Sequence, residues 1–304
     1  LLPDPVPFVS YPYEWCFSQL KDAALLTLRI ARAALAAGMT LKDANAYNVQ
    51  FVAGRPVFID TLSFERYREG EPWVAYRQFC QHFLAPLALM ALRDVRLSQL
   101  LRVHLDGVPL DLATSLLPAR AWLRGGLLMH LRLHASFQRR HAGSGSASRG
   151  RPLSRQGFDN LLVSLHSLVK KLDWAPQGSE WGDYTEGDSY TPEALARKQG
   201  LVGEHLAAVA PATLWDLGAN IGVYSRLAAS AGADVVGFDM DPACVEQSYR
   251  EVRKQREKRA KQKLAAEHQL TQDAAHGIPR TALGTQRDNL IRLASARLSV
   301  ASVS

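Results

Sequence analysis

Apolar residues recur at helical spacing near the start of the chain. In SQLKDAALLTLRIARAALAA, residues 18–37, Leu25 and Leu28 stand among many alanines, and Gly38 follows where a helix end favours glycine. This pattern predicts a helix over residues 18–37. Two short apolar runs, residues 49–52 and 56–59, flank a turn that contains Gly54 and predict a β-hairpin.

The middle of the chain alternates apolar runs with breakers. Residues 73–142 are rich in Leu, Ala, Arg and His and are interrupted by prolines, which predicts several short helices packed on one another. The small, polar stretch AGSGSASRGRPLS, residues 142–154, predicts a linker between two domains. The sequence therefore predicts a mainly helical region with one hairpin over residues 1–141 and the linker over residues 142–154. A partial α/β domain follows over residues 155–252, and a basic polar tail over residues 253–304.

The pattern of the second domain is strand, turn, helix and strand. In TLWDLGANIGVYSRLAASAGADVVGFDMDP, strands are predicted at 213–217 and 234–238, and a Gly-rich turn opens the intervening helix. Gly218 permits a tight turn, and Gly222 permits close backbone approach where the helix begins. A nucleoside-bearing ligand lies over the carboxyl ends of such strands, where an acid accepts hydrogen bonds from ribose hydroxyls. Asp239 follows Gly222 by 17 positions, near the ~20 expected for that acid.

These residues resemble a known family. DLGANIGVYS followed by VVGFDMDP is similar to the first two motifs of class I S-adenosylmethionine-dependent methyltransferases, and it departs from the dinucleotide fingerprint G-x-G-x-x-G because position 220 is Asn. The stretches SYPYEWCFSQLKDAALLTL, LKDANAYNVQF, GRPVFIDTLSFE and EWGDYTEGDSY resemble a bacterial group that includes rhizobial host-specificity nodulation methyltransferases. The likeness covers most of residues 7–252.

The resemblance implies a partial Rossmann-like methyltransferase domain with S-adenosylmethionine as cofactor. It implies that Asp239 binds the ribose and that four residues line the methionine end of the cofactor: Asp216, Gly218, Asn220 and Gly222. It identifies neither a catalytic residue nor the methyl acceptor. Asp241 is a candidate to assist Asp239, with an equally good interpretation as a solvent-exposed turn acid. Three residues are candidates for lid or substrate contacts, with an equally good interpretation as exposed loop residues: Tyr184, Tyr190 and Lys198.

The sequence after Val252 differs in character. A complete domain of this class has about seven strands, yet no aromatic residue follows Tyr249 and no Val/Ile run resembles a buried parallel strand. We therefore expect only two strands of the sheet. For the tail we expect either a solvated helix followed by a loose segment or a carboxy-terminal region that is truncated or out of frame. Residues 251–304 contain eleven Lys/Arg against five Asp/Glu, a net +6 of the chain's +7. The remainder is almost neutral, which argues against a nucleic-acid partner.

A second candidate site lies in LKDANAYNVQFVAGRPVFIDTLSF. Asp43 and Asn48 have the D-x-x-x-x-N spacing of a kinase catalytic loop, and Asp60 stands where the second metal-binding acid would be. The Phe-Gly that follows that acid in kinases is absent, as are a Gly-rich phosphate loop and a strand lysine. The favoured interpretation is structural, with Asp43, Asn45 and Asn48 capping turns and Asp60 ending a hairpin strand. A degenerate kinase-like fold that has lost its chemistry, a phosphotransferase that uses Mg-ATP and a non-catalytic interaction protein stay open as alternatives.

The remaining features concern location. Cys16, Cys80 and Cys244 share no metal-ligand spacing, which predicts reduced, buried or half-buried thiols, no metal site and a cytoplasmic protein. The sequence contains no run of ~18 uncharged apolar residues, so it predicts no membrane span. The opening LLPDPVPF lacks both an initiator Met and a signal-peptide pattern, so we expect the numbering to begin inside a longer protein. Nothing in the sequence indicates the oligomeric state.

Overall fold

The chain divides into two compact units. The computed structural model describes residues 5–123, 125–133, 153–176, 191–275 and 298–302. The first unit comprises Leu1–Phe51 and Pro56–Ala175, and the second comprises Val52–Arg55 and Pro176–Ser304. The division thus falls after residue 175 and not at the predicted linker, of which residues 142–152 lie outside the described ranges.

The first unit is mainly helical, as the sequence predicts. Its regular elements are α1 (Phe17–Ala36), β1 (Met39–Leu41), β2 (Val49–Val52), β3 (Arg55–Phe58), β4 (Phe64–Arg66), α2 (Tyr76–Phe79), α3 (Ala85–Leu92), α4 (Leu100–Val103), α5 (Leu110–Leu116), α6 (Gly125–Leu127) and α7 (Arg155–Lys171). Short 3-10 helices lie at Pro12–Glu14, Ala46–Asn48, Val95–Gln99 and Ala119–Leu123, and π-helical turns at Cys80–Leu84 and Leu128–Leu133.

Helix α1 lies within one residue of its predicted bounds. The Gln19 side chain accepts a hydrogen bond from the Cys16 backbone N–H at 3.0 Å, which satisfies a donor just before the helix begins. The face that includes Leu20, Leu28 and Leu35 is buried. Gly38 adopts φ 75° immediately after the helix, the left-handed conformation that commonly ends helices.

Helix α7 belongs to the first unit because it packs on α1. The Arg32 guanidinium donates to both carboxylate oxygens of Asp159, at 2.8 and 3.1 Å. Just beyond the helix, the Leu172 carbonyl accepts a hydrogen bond from Lys21 Nζ at 2.5 Å. The sequence assigned this segment to the second domain because it follows the polar linker. Its partner α1 lies more than 100 residues upstream, which local patterning does not reveal.

The predicted hairpin is present as β2 paired with β3. Its two turn residues, Ala53 and Gly54, have φ values of 49° and 67°, as a tight hairpin turn with two left-handed positions requires. Strands β1 and β4 form a separate antiparallel pair that aligns Met39 with Arg66 and Leu41 with Phe64.

The second unit is built around a parallel sheet. Its elements are α8 (Pro192–Val209), β5 (Thr213–Leu217), α9 (Val223–Ser230), β6 (Asp234–Asp239), α10 (Pro242–Ala275) and β7 (Leu298–Ser302). The strands lie in the order β5, β6, β7 and all run parallel, with Leu217 beside Phe238 and Asp239 beside Ser302. Helices connect them, as parallel pairing requires.

Two expectations about the tail are corrected here. The expectation of only two strands is wrong, because LSVAS forms β7 and pairs with β6. The run was missed since it is short and places Ala and Ser between its apolar residues. The boundary at residue 252 also has no counterpart in the fold, because α10 continues through it as one helix and carries the first basic residues of the tail.

The alternation of β5 decides which way its acid faces. Thr213, Trp215 and Leu217 are exposed, whereas Leu214 and Asp216 are half-buried on the opposite face of the strand. Asp216 therefore lies on the inner face, within reach of α9.

Two general features of the chain also bear on function. None of the described helices combines the length and apolar character that crossing a membrane requires. All three cysteines are buried and form no disulfide, which confirms the prediction of reduced, buried or half-buried thiols.

Candidate cofactor site

The turn that follows β5 is fastened to the end of β6. The backbone N–H groups of Gly218 and Ala219 both donate to the Phe238 carbonyl, at 2.9 and 2.8 Å. Gly218 adopts φ 77°, which a residue with a side chain rarely tolerates. The turn is thereby held at the carboxyl ends of two adjacent parallel strands, where open α/β sheets bind their ligands.

Asn220 and Asp239, two of the candidate cofactor residues, come together at this edge. The Asn220 backbone N–H donates to Asp239 Oδ2 at 2.7 Å, and the Asp241 N–H donates to Asp239 Oδ1 at 2.8 Å. Asn220 itself has φ 50°, and its Oδ1 accepts from the Ile221 N–H at 2.6 Å. Asn tolerates this left-handed conformation better than most residues. Its side chain therefore stabilises the turn, and its backbone orients the Asp239 carboxylate.

Asp216 is fixed from the helix side. The buried Ser225 hydroxyl, on α9, donates to Asp216 Oδ2 at 2.5 Å. Within the described part of the chain, Asp216 Oδ1 accepts no hydrogen bond. The carboxylate is thus oriented by one oxygen and keeps the other available to a ligand. Sequence reasoning missed Ser225, because its role depends on α9 folding back over β5.

A third glycine, Gly237 in β6, makes this packing possible and was also missed. A Cβ at Gly237 would lie 3.0 Å from Ser225 Oγ and 3.3 Å from the Ala219 Cβ. Both distances are tighter than ordinary van der Waals contact, so only glycine lets α9 and the turn pack this closely on β6. A glycine inside the apolar run VVGF was the available signal, since glycine within a strand often marks close backbone approach.

The two glycines of the motif have different roles although both adopt φ 77°. Among the described residues, a Cβ on Gly218 would meet nothing within 4 Å, whereas a Cβ on Gly222 would overlap Ser248 Oγ on α10. Gly218 therefore leaves an open side where a ligand can approach. The buried Gly222 allows the start of α9 to pack closely against α10. This is the close backbone approach that the sequence predicts for Gly222, but the approaching group belongs to α10 and not to a cofactor.

The remaining candidates near the turn have local partners. Asp241 Oδ1 accepts from the Ala243 N–H at 2.8 Å, so its side chain caps the start of α10. Lys198 Nζ lies 5.2 Å from the centroid of the Tyr224 ring, close enough for a cation–π contact. The Tyr224 hydroxyl is buried and has no hydrogen-bond partner among residues with described positions. Tyr184 and Tyr190 fall outside those residues.

The second candidate site is held together by turns. Asp43 Oδ1 accepts from the Asn45 N–H at 3.0 Å, and Asn45 Oδ1 accepts from the Tyr47 N–H at 2.9 Å. The predicted turn-capping role of Asp43 and Asn45 is confirmed. The expected backbone partner of the Asn48 side chain is wrong, because Asn48 Nδ2 donates to Ser63 Oγ at 3.2 Å.

Asp60 is engaged in the same network. It accepts the Ser63 hydroxyl at 2.5 Å and the Leu62 N–H at 2.8 Å, and these two donors hold the pKa of the Asp60 carboxyl below its usual range. In the portion of the chain that is described, no group of three or more His, Cys, Asp or Glu is arranged to hold a metal ion. This geometry favours the structural interpretation of the loop.

Comparison with known proteins gives one informative similarity. The chain is 38% identical over 248 residues to the nodulation protein NoeA of Rhizobium meliloti (strain 1021), a match that covers 79% of this chain and 52% of that protein. The chain therefore spans about half the length of this relative. No family model matches the sequence, and no solved structure matches it.

Proposed function

We propose that the second unit is a partial Rossmann-like methyltransferase domain that binds S-adenosylmethionine. One observation carries the proposal: Asp239, at the end of the middle strand β6, is joined through the Asn220 N–H at 2.7 Å to the Gly-rich turn that ends β5. An acid in this position beside a tight turn is suited to the ribose hydroxyls of a nucleoside.

The residues present fit the two polar ends of this cofactor. Each Asp239 oxygen accepts one backbone N–H and keeps lone-pair capacity for a ribose hydroxyl. Asp216 Oδ1 offers a negative charge to the amino group of the methionine end, with Ser225 holding the carboxylate in place. The open side of Gly218 leaves room for a ligand beside the turn.

The chemistry needs little from the protein beyond position. When bound, S-adenosylmethionine supplies an activated methyl group for direct displacement by a nucleophile. The contribution of the chain is to orient the cofactor by its two ends, which brings the gain of proximity and alignment. The similarity to a nodulation protein supports a role of this chain in nodulation, and it identifies no methyl acceptor.

Calorimetric titration of the 304-residue chain with S-adenosylmethionine tests the proposal. We expect binding in the micromolar range, lost in Asp239→Ala and retained in Asp241→Ala, a matched control because the Asp241 side chain caps α10. Absence of binding to the folded chain, or an equal loss in both variants, would contradict the proposal and favour a non-catalytic interaction protein.

A further inference from the structure

An open cavity of about 490 Å³ lies in the second unit beside the start of α9. Arg226 contributes to it from α9, and a stripe along α10 supplies most of the remaining wall: Gln247, Arg250, Glu251 and Lys254. These four α10 positions follow one another at intervals of three, one and three residues, so they share one helix face. None of them has a part in the cofactor site described above.

Arg226 is a cation that is only partly compensated. Its guanidinium is half-buried and donates from one terminal nitrogen to the Ile221 carbonyl at 2.6 Å. The pKa of Arg226 is lowered because burial penalises its charge, and the nearby Glu251 carboxylate opposes that effect. A guanidinium has five N–H donors, and the Arg226 guanidinium makes no other hydrogen bond within the described ranges. The cavity wall therefore presents a partly desolvated cation with donors to spare.

The other charges on the wall add to this preference. Arg226, Arg250 and Lys254 oppose the single carboxylate of Glu251. Arg250 also bonds through Nε to the fully buried Glu246 at 2.5 Å, which fixes the direction of its guanidinium. The balance stays positive even with Glu246 included. Two guanidinium groups and an ammonium around one cavity form an environment that stabilises a multiply charged anion.

We propose that this cavity binds the phosphate group of a small molecule. Tetrahedral phosphate oxygens accept donors of the Arg226 guanidinium, Arg250 and Lys254 add positive charge, and the Gln247 amide offers a neutral donor. The volume exceeds that of a phosphate group alone, so the remainder of a small ligand fits beside it. The polar side chains of this site lie on α9 and α10 and not at the strand ends, and Ile221 of the Gly-rich turn also lines the cavity.

The test is calorimetric titration of the full chain with inorganic phosphate at fixed ionic strength. We expect saturable binding that is weakened about tenfold or more in Arg226→Gln and in Lys254→Gln. Lys258→Gln is the matched control, because Lys258 is an exposed lysine one helical turn farther along α10 and outside the cavity. Added salt should weaken binding to the unmodified chain.

The results expected for the variants distinguish binding at this cavity from nonspecific binding of phosphate. Lys254 is exposed, so its substitution tests the site even if Arg226→Gln disturbs the turn that it contacts. Equal affinity in all variants, an equal loss in Lys258→Gln, or no binding at ~10 mM phosphate would overturn the proposal. Acetate titrated under the same conditions should bind more weakly than phosphate, and equal or tighter acetate binding would overturn the assignment of a phosphate ligand.

Discussion

The contrast between Gly218 and Gly222 gives a quantitative prediction about the candidate site. Both residues adopt φ 77°, so replacement of either by alanine imposes the same left-handed backbone on a residue with a Cβ. That conformation costs about 1–2 kcal/mol. Only the Cβ at position 222 would also overlap Ser248 Oγ, which belongs to a side chain just 2% exposed and therefore confined. Overpacking of this kind adds about 1–3 kcal/mol.

We therefore expect Gly218→Ala to lower the free energy of unfolding by about 1–2 kcal/mol and Gly222→Ala to lower it by about 2–5 kcal/mol. The assay is equilibrium urea unfolding of the full chain. Hydrogen exchange of peptides from residues 213–239 assigns the change to the second unit, because two units need not unfold in a single transition.

A double-variant cycle separates the two contributions. In the Gly222→Ala background, Ser248→Ala should recover the overpacking part of the loss and leave the backbone part. Equal costs for the two glycine substitutions, or no recovery when Ser248 is shortened, would refute the close packing of α9 on α10 from which the magnitudes are derived.

Three further predictions concern side chains that orient or stabilise each unit. Ser225→Ala should destabilise the second unit by about 1–3 kcal/mol in urea unfolding, because it removes the hydroxyl that donates to Asp216. Lowering the pH should destabilise the first unit through His82, whose pKa burial lowers from 6.5 to about 4. Between pH 6.5 and about pH 4 the folded state binds fewer protons than the unfolded state. The contribution of His82 to the free energy of unfolding is therefore complete above pH 6.5 and falls by about 1.4 kcal/mol per pH unit down to about pH 4. Asp159→Asn should cost only about 0.2–1 kcal/mol in unfolding experiments, since its ion pair with Arg32 is solvent-exposed.

Each of these predictions has a control. Ser230→Ala serves for Ser225, because the Ser230 hydroxyl is exposed and donates to a backbone carbonyl of its own helix. For His82, the acid-dependent slope should disappear in His82→Leu, and persistence of that slope would assign it to other groups. Asp43 and Asp106 lie near enough to oppose the lowering of the His82 pKa. For the α1–α7 ion pair, the effect should vanish at 1 M salt, and a loss above 2 kcal/mol would contradict its exposed setting.

Much of the second unit could be predicted because its signals are local. The strand at 213–217, the glycine turn and the acid after the second strand are each visible within a few residues, and the structure places them together. Ser225 acts only once α9 lies on the sheet, so it does not stand out from its neighbours in the sequence, whereas Gly237 was marked only by being a glycine inside an apolar strand. Strand β7 was missed for a related reason, since its identity depends on pairing with β6.

The domain boundary shows the same limit in the first unit. The polar stretch at 142–154 has the composition of a linker, and the helix after it was therefore assigned to the second domain. Contacts of α7 with α1, through Asp159 and Arg32, place that helix in the first unit. Composition indicates where a chain is polar, whereas a boundary depends on which distant surfaces pack together.

Hydrogen–deuterium exchange of the full chain with and without S-adenosylmethionine tests the central claim most directly. The account predicts slower exchange at residues 216–222 and 237–241, where the turn and the end of β6 meet, with no change at residues 43–63. Mg-ATP should leave both segments unchanged. Protection confined to residues 43–63, or no protection at residues 216–222 and 237–241 in the presence of excess S-adenosylmethionine, would contradict the assignment of the cofactor to the second unit.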